Sequence, residues 1–223
     1  MEFQELHLKL QKHIEEQTKN WDSLIYAHKK GFYQGFEEIK IDGCRNTEKR
    51  FERYNIEKYL SKEKSVLDIG SNCGFVVLYL SKFVRKISGV EINPYLVEVA
   101  NDVKEFLERT NSEFFCSKFE NFDYGEKYDI ICSFANDSTI DDNTDFNFRQ
   151  YMNKILKLLN SNGLVFFESQ ALDAFVPGGF DEKREIIKEY FHILEEKKVH
   201  SEYPINVPER FFLVLKKLDV SDF

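Results

Sequence analysis

Apolar residues recur along this chain in two rhythms. In residues 1–20, Phe3, Leu6, Leu10 and Ile14 fall at helical spacing among Glu, Lys and Gln, which predicts an amphipathic helix. A second helix is expected over 47–61, with Phe51, Tyr54, Ile56 and Leu60 on one side. Over 94–110, Leu96, Ala100, Val103 and Leu107 stand at i, i+4, i+7 and i+11. Another helix over 147–159 turns Tyr151, Ile155 and Leu158 or Leu159 inward. Between the helices lie short, mostly apolar runs at 66–70, 87–91, 113–117, 128–134 and 164–168. Such runs read as strands buried on both faces. Two more strands, 191–200 and 210–217, close the chain and are joined by a segment holding Pro204 and Pro208. Alternating strands and helices belong to a doubly wound α/β fold.

The stretch 65–94 organises the rest. It reads SVLDIGSNCGFVVLYLSKFVRKISGVEINP, a strand ending at Gly70, a tight turn, and an apolar helix from Phe75 to Val84. Gly70 can take φ > 0 or let a ligand approach bare backbone, and Gly74 lets the helix start close to the strand. The next strand ends on Glu91, beside the end of the first in a right-handed crossover. There its carboxylate can accept hydrogen bonds from two vicinal hydroxyls, as in a ribose. Asn93 and Pro94 form an N-cap and N1 pair for the following helix. A dinucleotide site usually reads G-x-G-x-x-G, because pyrophosphate must sit on the helix N-terminus. Here D-I-G-S-N-C-G lacks the middle glycine and places Asp68 before the turn. That suits a ligand with a positive or zwitterionic end and no phosphate; S-adenosylmethionine fits.

On these residues the chain resembles the class I S-adenosylmethionine-dependent methyltransferases. Asp68, Gly70 and Gly74 match their first motif, and Glu91 matches their ribose-binding acid. The resemblance implies a cofactor site that includes Asp68, Gly70, Ser71, Asn72, Gly74, Glu91 and Ile92, with Phe119 and Ser133 on the neighbouring strand ends. The expected architecture is α/β: a doubly wound, mostly parallel seven-stranded sheet with helices on both faces. Residues 1–61 would be an N-terminal helical appendage and lid, and 62–223 the methyltransferase domain. YQG at 33–35 and R-x-T-E-x-R-F at 45–51 resemble the lead-in of the methyltransferase domains of bacterial surface-polysaccharide chain-terminating enzymes. That likeness carries Tyr33, Gln34 and Arg45 to the methionine end of the cofactor. A guanidinium there can clamp a carboxylate in bidentate fashion. Alternatively Arg45, Glu48 and Arg50 form surface ion pairs.

Many class I enzymes place an aspartate after the third strand to accept the adenine amino group. Lys118 occupies that position and cannot accept, so backbone near Phe119 or the Asn121 side chain would read the adenine edge. After the fourth strand, SFANDSTIDDN at 133–143 is the candidate reaction centre, with Asn136 beside Asp137 as general base. The polysaccharide-related group has a histidine where Asp137 stands. The same acids also read as a turn and N-cap, or as metal ligands through Asp137, Asp141 and Asp142; no metal is expected. Glu168 and Gln170 end the fifth strand as candidate acceptor contacts, and VPGGF at 176–180 is a loop bordering the entrance.

Composition narrows the partners. The 223 residues are 42% hydrophobic with 22 Phe, enough for a substantial core. A formal charge of −8 disfavours nucleic acid without excluding a local basic patch, and the acceptor that the resemblance implies is a small molecule or carbohydrate. Four scattered cysteines, no leader pattern and no long apolar run point to a cytoplasmic protein without a membrane span. The N-terminal helix could pack on the domain or form a homodimer. His7, His13, His192 and His200 carry no metal-ligand pattern; the first two are expected at the surface. Two other function classes compete with methyl transfer: a non-catalytic S-adenosylmethionine-binding module, and a nicotinamide-dependent oxidoreductase, for which the turn lacks pyrophosphate room.

Overall fold

A computed structural model describes residues 2–21, 31–137 and 144–218. Asp141 and Asp142, named above, lie outside that range. The chain opens with helix α1 (Phe3–Asn20), then two short strands, β1 (Phe32–Gly35) and β2 (Gly43–Asn46), which pair in parallel. Helix α2 (Thr47–Tyr54) follows, N-capped by the Asn46 side chain, which accepts from Lys49 N at 2.8 Å. The helix expected over 47–61 is thus two pieces. Asn55 adopts φ 50°, a left-handed stop that asparagine tolerates, and a 3-10 turn at Glu57–Tyr59 follows.

Next come β3 (Ser65–Ile69), α3 (Phe75–Leu80), β4 (Lys86–Glu91), α4 (Pro94–Phe106), β5 (Ser112–Cys116) and β6 (Tyr128–Phe134). The last segment holds α5 (Phe148–Leu158), β7 (Leu159–Glu168), α6 (Ala171–Phe175), α7 (Asp181–Lys188), β8 (Phe191–His200) and β9 (Glu209–Lys217). Residues 160–163 form a bulge inside β7, since Leu159 pairs with Tyr128 and Leu164 with Ile130. Helix α6 is too short to show helical periodicity, and the sequence did not reveal it.

Seven strands form one sheet in the order β5-β4-β3-β6-β7-β9-β8. Pairing is parallel from β5 through β7, and β9 runs antiparallel to both β7 and β8. Successive residues of a strand feed opposite layers. On β3, Val66 joins Ile130, Phe166 and Val76 on one face, while Leu67 and Ile69 join Tyr151, Ile155 and Phe167 on the other. The chain leaves β3 toward β4 on one side and returns as β6 on the other. This switch point opens a crevice beyond the carboxyl ends of the strands.

Helix α1 is fastened to the domain. Leu6, Leu10 and Ile14 are buried against Phe36, Ile39, Leu96, Val99 and Val103. Asp102 of α4 accepts from Lys9 Nζ at 2.6 Å and pairs with His13 Nε2 at 2.9 Å, and His7 Nε2 lies 2.7 Å from the Ile39 carbonyl. The apolar face of α1 is therefore covered within the chain, and neither histidine is a plain surface residue. No described helix is long and apolar enough to cross a membrane.

Candidate functional site

The crevice holds a cavity of about 560 Å³. Its floor is backbone geometry. Gly70 sits at φ 64°, where most side chains are strained, and a Cβ there would lie 2.5 Å from Asn136 Oδ1 and displace that side chain. The Asn136 side chain in turn donates to the Ile69 carbonyl, fastening the ends of β3 and β6 together. At Gly74 (φ 74°) a Cβ would press on Phe114 and Ala100 at 2.6 Å, so that glycine serves packing and does not line the cavity.

Glu91 is aimed by the turn itself. Its Oε2 accepts from Asn72 N at 2.8 Å and its Oε1 from Asn93 N at 3.0 Å. A carboxylate has about four acceptor sites, so two amide bonds orient the group without exhausting it. Both side-chain atoms of Asn72, on the cavity wall, are buried without a partner. Buried polar atoms normally find partners, so such a pair marks a place for a polar ligand. Asp68, also on the wall, has no hydrogen-bond partner among the described residues. Burial pushes its carboxyl up to about 8; Arg50 opposes this and Glu91 adds to it. It is poised to ionise when a cation arrives. The turn, the acid pair and the unpartnered amide suit a nucleoside with a cationic amino-acid tail, as S-adenosylmethionine has.

Of the residues expected at the cofactor, Tyr33, Gln34, Asp68, Gly70, Asn72, Glu91, Ile92 and Phe119 line the cavity, as does Asn136. Ser71, Gly74, Arg45 and Ser133 do not. Ser133 Oγ lies behind the wall at 2.8 Å from the Tyr151 hydroxyl, and it is Tyr151 that reaches the cavity. The Phe119 ring packs edge-on against Tyr151 at 5.3 Å. Lys118 turns outward toward Asp145, 3.5 Å away; at this strand end Ser117 and Phe119 line the cavity, and Asn121 does not.

Arg45 is a correction. It is 1% exposed, and its Nη1 and Nη2 donate to Glu168 at 2.8 and 2.6 Å in a bidentate pair. Glu168 also accepts from Arg50 Nη2 at 3.2 Å and from the Tyr54 hydroxyl at 2.8 Å. These arginines are therefore not surface residues, and Glu168 is a buried counter-ion rather than an acceptor contact. Although burial opposes it, the positive field of Arg45 and Arg50 holds the Glu168 carboxyl well below its usual range. Of the two, Arg50 lines the cavity, its Nη1 making no hydrogen bond with the described residues. The sequence motif contained it, five residues after Arg45. Glu168, 123 residues away, is what draws Arg45 off the wall.

Asp137 is a second correction. It is buried, absent from the cavity wall, and pairs with Lys183 Nζ at 2.6 Å. Lys183 also bonds both oxygens of Asp173, at 3.0 and 2.8 Å. Asp137 thus anchors α7 and does not face an acceptor. Burial raises its carboxyl, with the Lys183 charge opposing. No group of three or more His, Cys, Asp or Glu among the described residues is placed to hold a metal.

Of the roof, Gln170 is a residue the sequence places at the acceptor, whereas Tyr203 and Arg210 come from a segment it does not connect to the site. Tyr33 meets Tyr203 edge-on at 5.9 Å. Gln170, Ala171, Leu172 and Asp173 of the α6 region, and Tyr203, Pro204, Asn206 and Val207 with Arg210, complete the wall. Arg210 holds the 201–207 segment through Ser201 Oγ and the Tyr203 carbonyl, each at 3.1 Å.

Residues 60–205 match a family model described as a methyltransferase domain. The chain is 28% identical over 131 residues to the ribosomal RNA small subunit methyltransferase G of Mycoplasma pneumoniae, covering 57% of this chain and 63% of that one. It is 26% identical over 163 residues to the malonyl-[acyl-carrier protein] O-methyltransferase of Acetivibrio thermocellus, covering 72% and 48%. The chain thus spans about half to two thirds of the length of these curated relatives. Among solved structures, it resembles the N-methyltransferase NodS from Bradyrhizobium japonicum WM9 in complex with S-adenosyl-L-homocysteine. The TM-score is 0.60 at 14% identity, covering 94% of this chain and 99% of that one. The [4+2]-cyclase SpnF matches with TM-score 0.59 at 15% identity, covering 77% and 80%. At such identities the likeness is one of fold.

Proposed function

The chain belongs to the methyltransferase-domain family, and on that premise we propose that it transfers a methyl group from S-adenosylmethionine to a small-molecule or saccharide-like acceptor held in the roofed crevice. One observation carries the reading. The Gly70 turn, Asp68, the unpartnered Asn72 amide and the amide-oriented Glu91 all face a single cavity. Glu91 and Asn72 would hold the ribose, Ser117 and Phe119 the adenine, Asp68 the ammonium, and Arg50 Nη1 the methionine carboxylate.

The donor supplies an already activated methyl on its sulfonium. The protein's own work is therefore alignment and exclusion of water. Tyr33 and Tyr203 meet over the crevice, and Gln170 fixes its edge by donating to the Ala135 carbonyl at 2.6 Å. A small acceptor is supported by this roof and by the formal charge of −8, which opposes long contact with a phosphate backbone. The saccharide-like class rests on the resemblance at 33–35 and 45–51 alone. The curated relatives' names span ribosomal RNA and malonyl-[acyl-carrier protein], so the acceptor is read from this cavity and not from them.

A second reading is favoured by one observation: Asp137, the acid expected as base, is tied to Lys183. A binding module without turnover would look the same there. Calorimetric titration with S-adenosylmethionine and S-adenosylhomocysteine tests the site, and S-adenosylhomocysteine release with an acceptor library tests turnover. Binding of neither at millimolar concentration overturns both readings; binding without release on any acceptor favours the module.

A further inference from the structure

The crevice is polarised. Its floor is acidic, with Asp68 and Glu91; Asp173, at the α6 edge, is answered by Lys183. The wall between α2 and β9 is cationic. Arg50 and Arg210 line it, and Arg45 lies behind them. Arg53 stands nearby, paired with Glu202. Two carboxylates, Glu168 and Glu202, pair directly with these four guanidiniums, and Asp68 across the floor lies within the field of Arg50. Arg45 Nε is buried without a partner, and Arg50 Nη1 makes no hydrogen bond with the described residues. Arg210 bonds only neutral oxygens, the Ser201 hydroxyl and the carbonyls of Ser169 and Tyr203. Burial lowers its pKa, and repulsion from Arg45 and Arg50 reinforces this against the pull of Glu168. A buried charge without a partner is costly, so an uncompensated cluster on a cavity wall calls for an anion.

The proposed cofactor does not meet that demand. Its methionine tail brings one carboxylate, enough for the open edge of Arg50, but also an ammonium and a sulfonium. Arg210 is left facing the cavity with no anion of its own. Next to it the mouth turns apolar. Leu172, a wall residue, is 64% exposed, and Ile205, between the wall residues Pro204 and Asn206, is 88% exposed.

We propose that the acceptor is an acid, a small molecule whose oxyanion, carboxylate or phosphate, docks on the cationic wall at Arg210 beside Arg50 while its apolar part lies along Leu172 and Ile205. A planar guanidinium suits either oxyanion, since both accept two parallel N–H bonds. The inference rests on the methyltransferase reading and adds the charge of the acceptor to it. Filling the methionine carboxylate position first separates the two.

The test is calorimetry on protein saturated with S-adenosylhomocysteine, titrated at neutral pH with phenylacetate, phenyl phosphate and the neutral isostere phenylacetamide. At least one anion is expected to bind, with phenylacetamide at least about tenfold weaker, the scale of one hydrogen bond to a charged group. Whichever anion binds identifies the oxyanion class. Arg210→Gln should remove the preference for charge while S-adenosylhomocysteine still binds. Because Arg210 also holds the 201–207 segment, the wild-type titration decides alone if that variant fails to fold. No binding of either anion to the loaded protein, or equal binding of the amide, overturns the inference and leaves the cofactor reading standing. Failure of S-adenosylhomocysteine itself to bind overturns the cofactor reading instead.

Discussion

The floor and the cationic wall of one crevice are built on opposite plans. The floor is assembled from neighbours in sequence: Glu91 is held by the amides of Asn93, two residues on, and Asn72, nineteen back. The wall is assembled across the chain, with Glu168 joined to Arg45 and Arg50 at separations of 123 and 118 residues. A local turn dictates its own geometry, because each backbone bond narrows where the next atom can lie. A buried charge cluster has no such rule; its members are fixed only when the whole sheet has closed around them. The floor should therefore lose function when altered and keep its fold, whereas the wall should lose its fold.

The sharpest test of that contrast is Glu168→Gln. Two guanidiniums would lose their common anion inside the protein, and breaking a buried pair from one side costs about 3–5 kcal/mol. Thermal or denaturant unfolding should register the full loss. The sign of its pH dependence follows from the depressed carboxyl. Stability from Glu168 is present above the unfolded-state value near 4.5 and declines as pH falls below it. A variant as stable as the parent would show that the wall is not held by this charge.

On the floor, Glu91→Ala should weaken S-adenosylhomocysteine binding by about 1–3 kcal/mol through lost ribose hydrogen bonds, with a smaller change in unfolding. Unchanged affinity would remove Glu91 from the site and erase the contrast. Asp68 gives a subtler signature. Its carboxyl titrates at about 8 in the free protein, and the cofactor's cationic end needs it ionised. Cofactor affinity should rise with pH up to about 8, by at most roughly tenfold per unit, with proton release on binding. The stability of the free protein runs the other way. A raised carboxyl favours the fold most below the unfolded value near 3.8, and the benefit is lost as pH climbs through 8. Calorimetry in buffers of different ionisation enthalpy measures the released proton; a pH-independent affinity would contradict the role of Asp68.

The same division governs what the sequence reveals. The sheet, its seven strands and the Asp68, Gly70 and Glu91 positions were legible because strand runs, a glycine turn and a terminal acid are patterns within thirty residues. Arg45 and Arg50 stand in one motif, and only the distant Glu168 decides which of them reaches the cavity. Asp137 followed the expected strand end, yet Lys183 on α7, 46 residues on, draws it off the wall. Tyr203 and Arg210 carried no signal, since nothing in a β-hairpin sequence says that it will roof a crevice formed far earlier in the chain. Helix α6, five residues long, is below the length at which periodicity speaks.

The smallest expected effect falls where floor meets surface. Lys118 stands where an adenine-accepting acid is usual, and its departure from the pattern looks damaging in the sequence. In the structure its ammonium reaches out to Asp145, whose side chain is 82% exposed, at 3.5 Å. An exposed pair of that kind contributes about 0–1 kcal/mol. Lys118→Ala should therefore leave unfolding nearly unchanged and S-adenosylhomocysteine affinity within about twofold, because the adenine edge is left to Ser117 and Phe119. A marked gain in affinity on Lys118→Asp, with no change for Lys118→Ala, would mean that a side-chain acceptor at this position can still reach the base. A marked loss on Lys118→Ala would mean that the lysine itself swings inward when the nucleoside arrives, and that the floor is not fixed by its backbone alone.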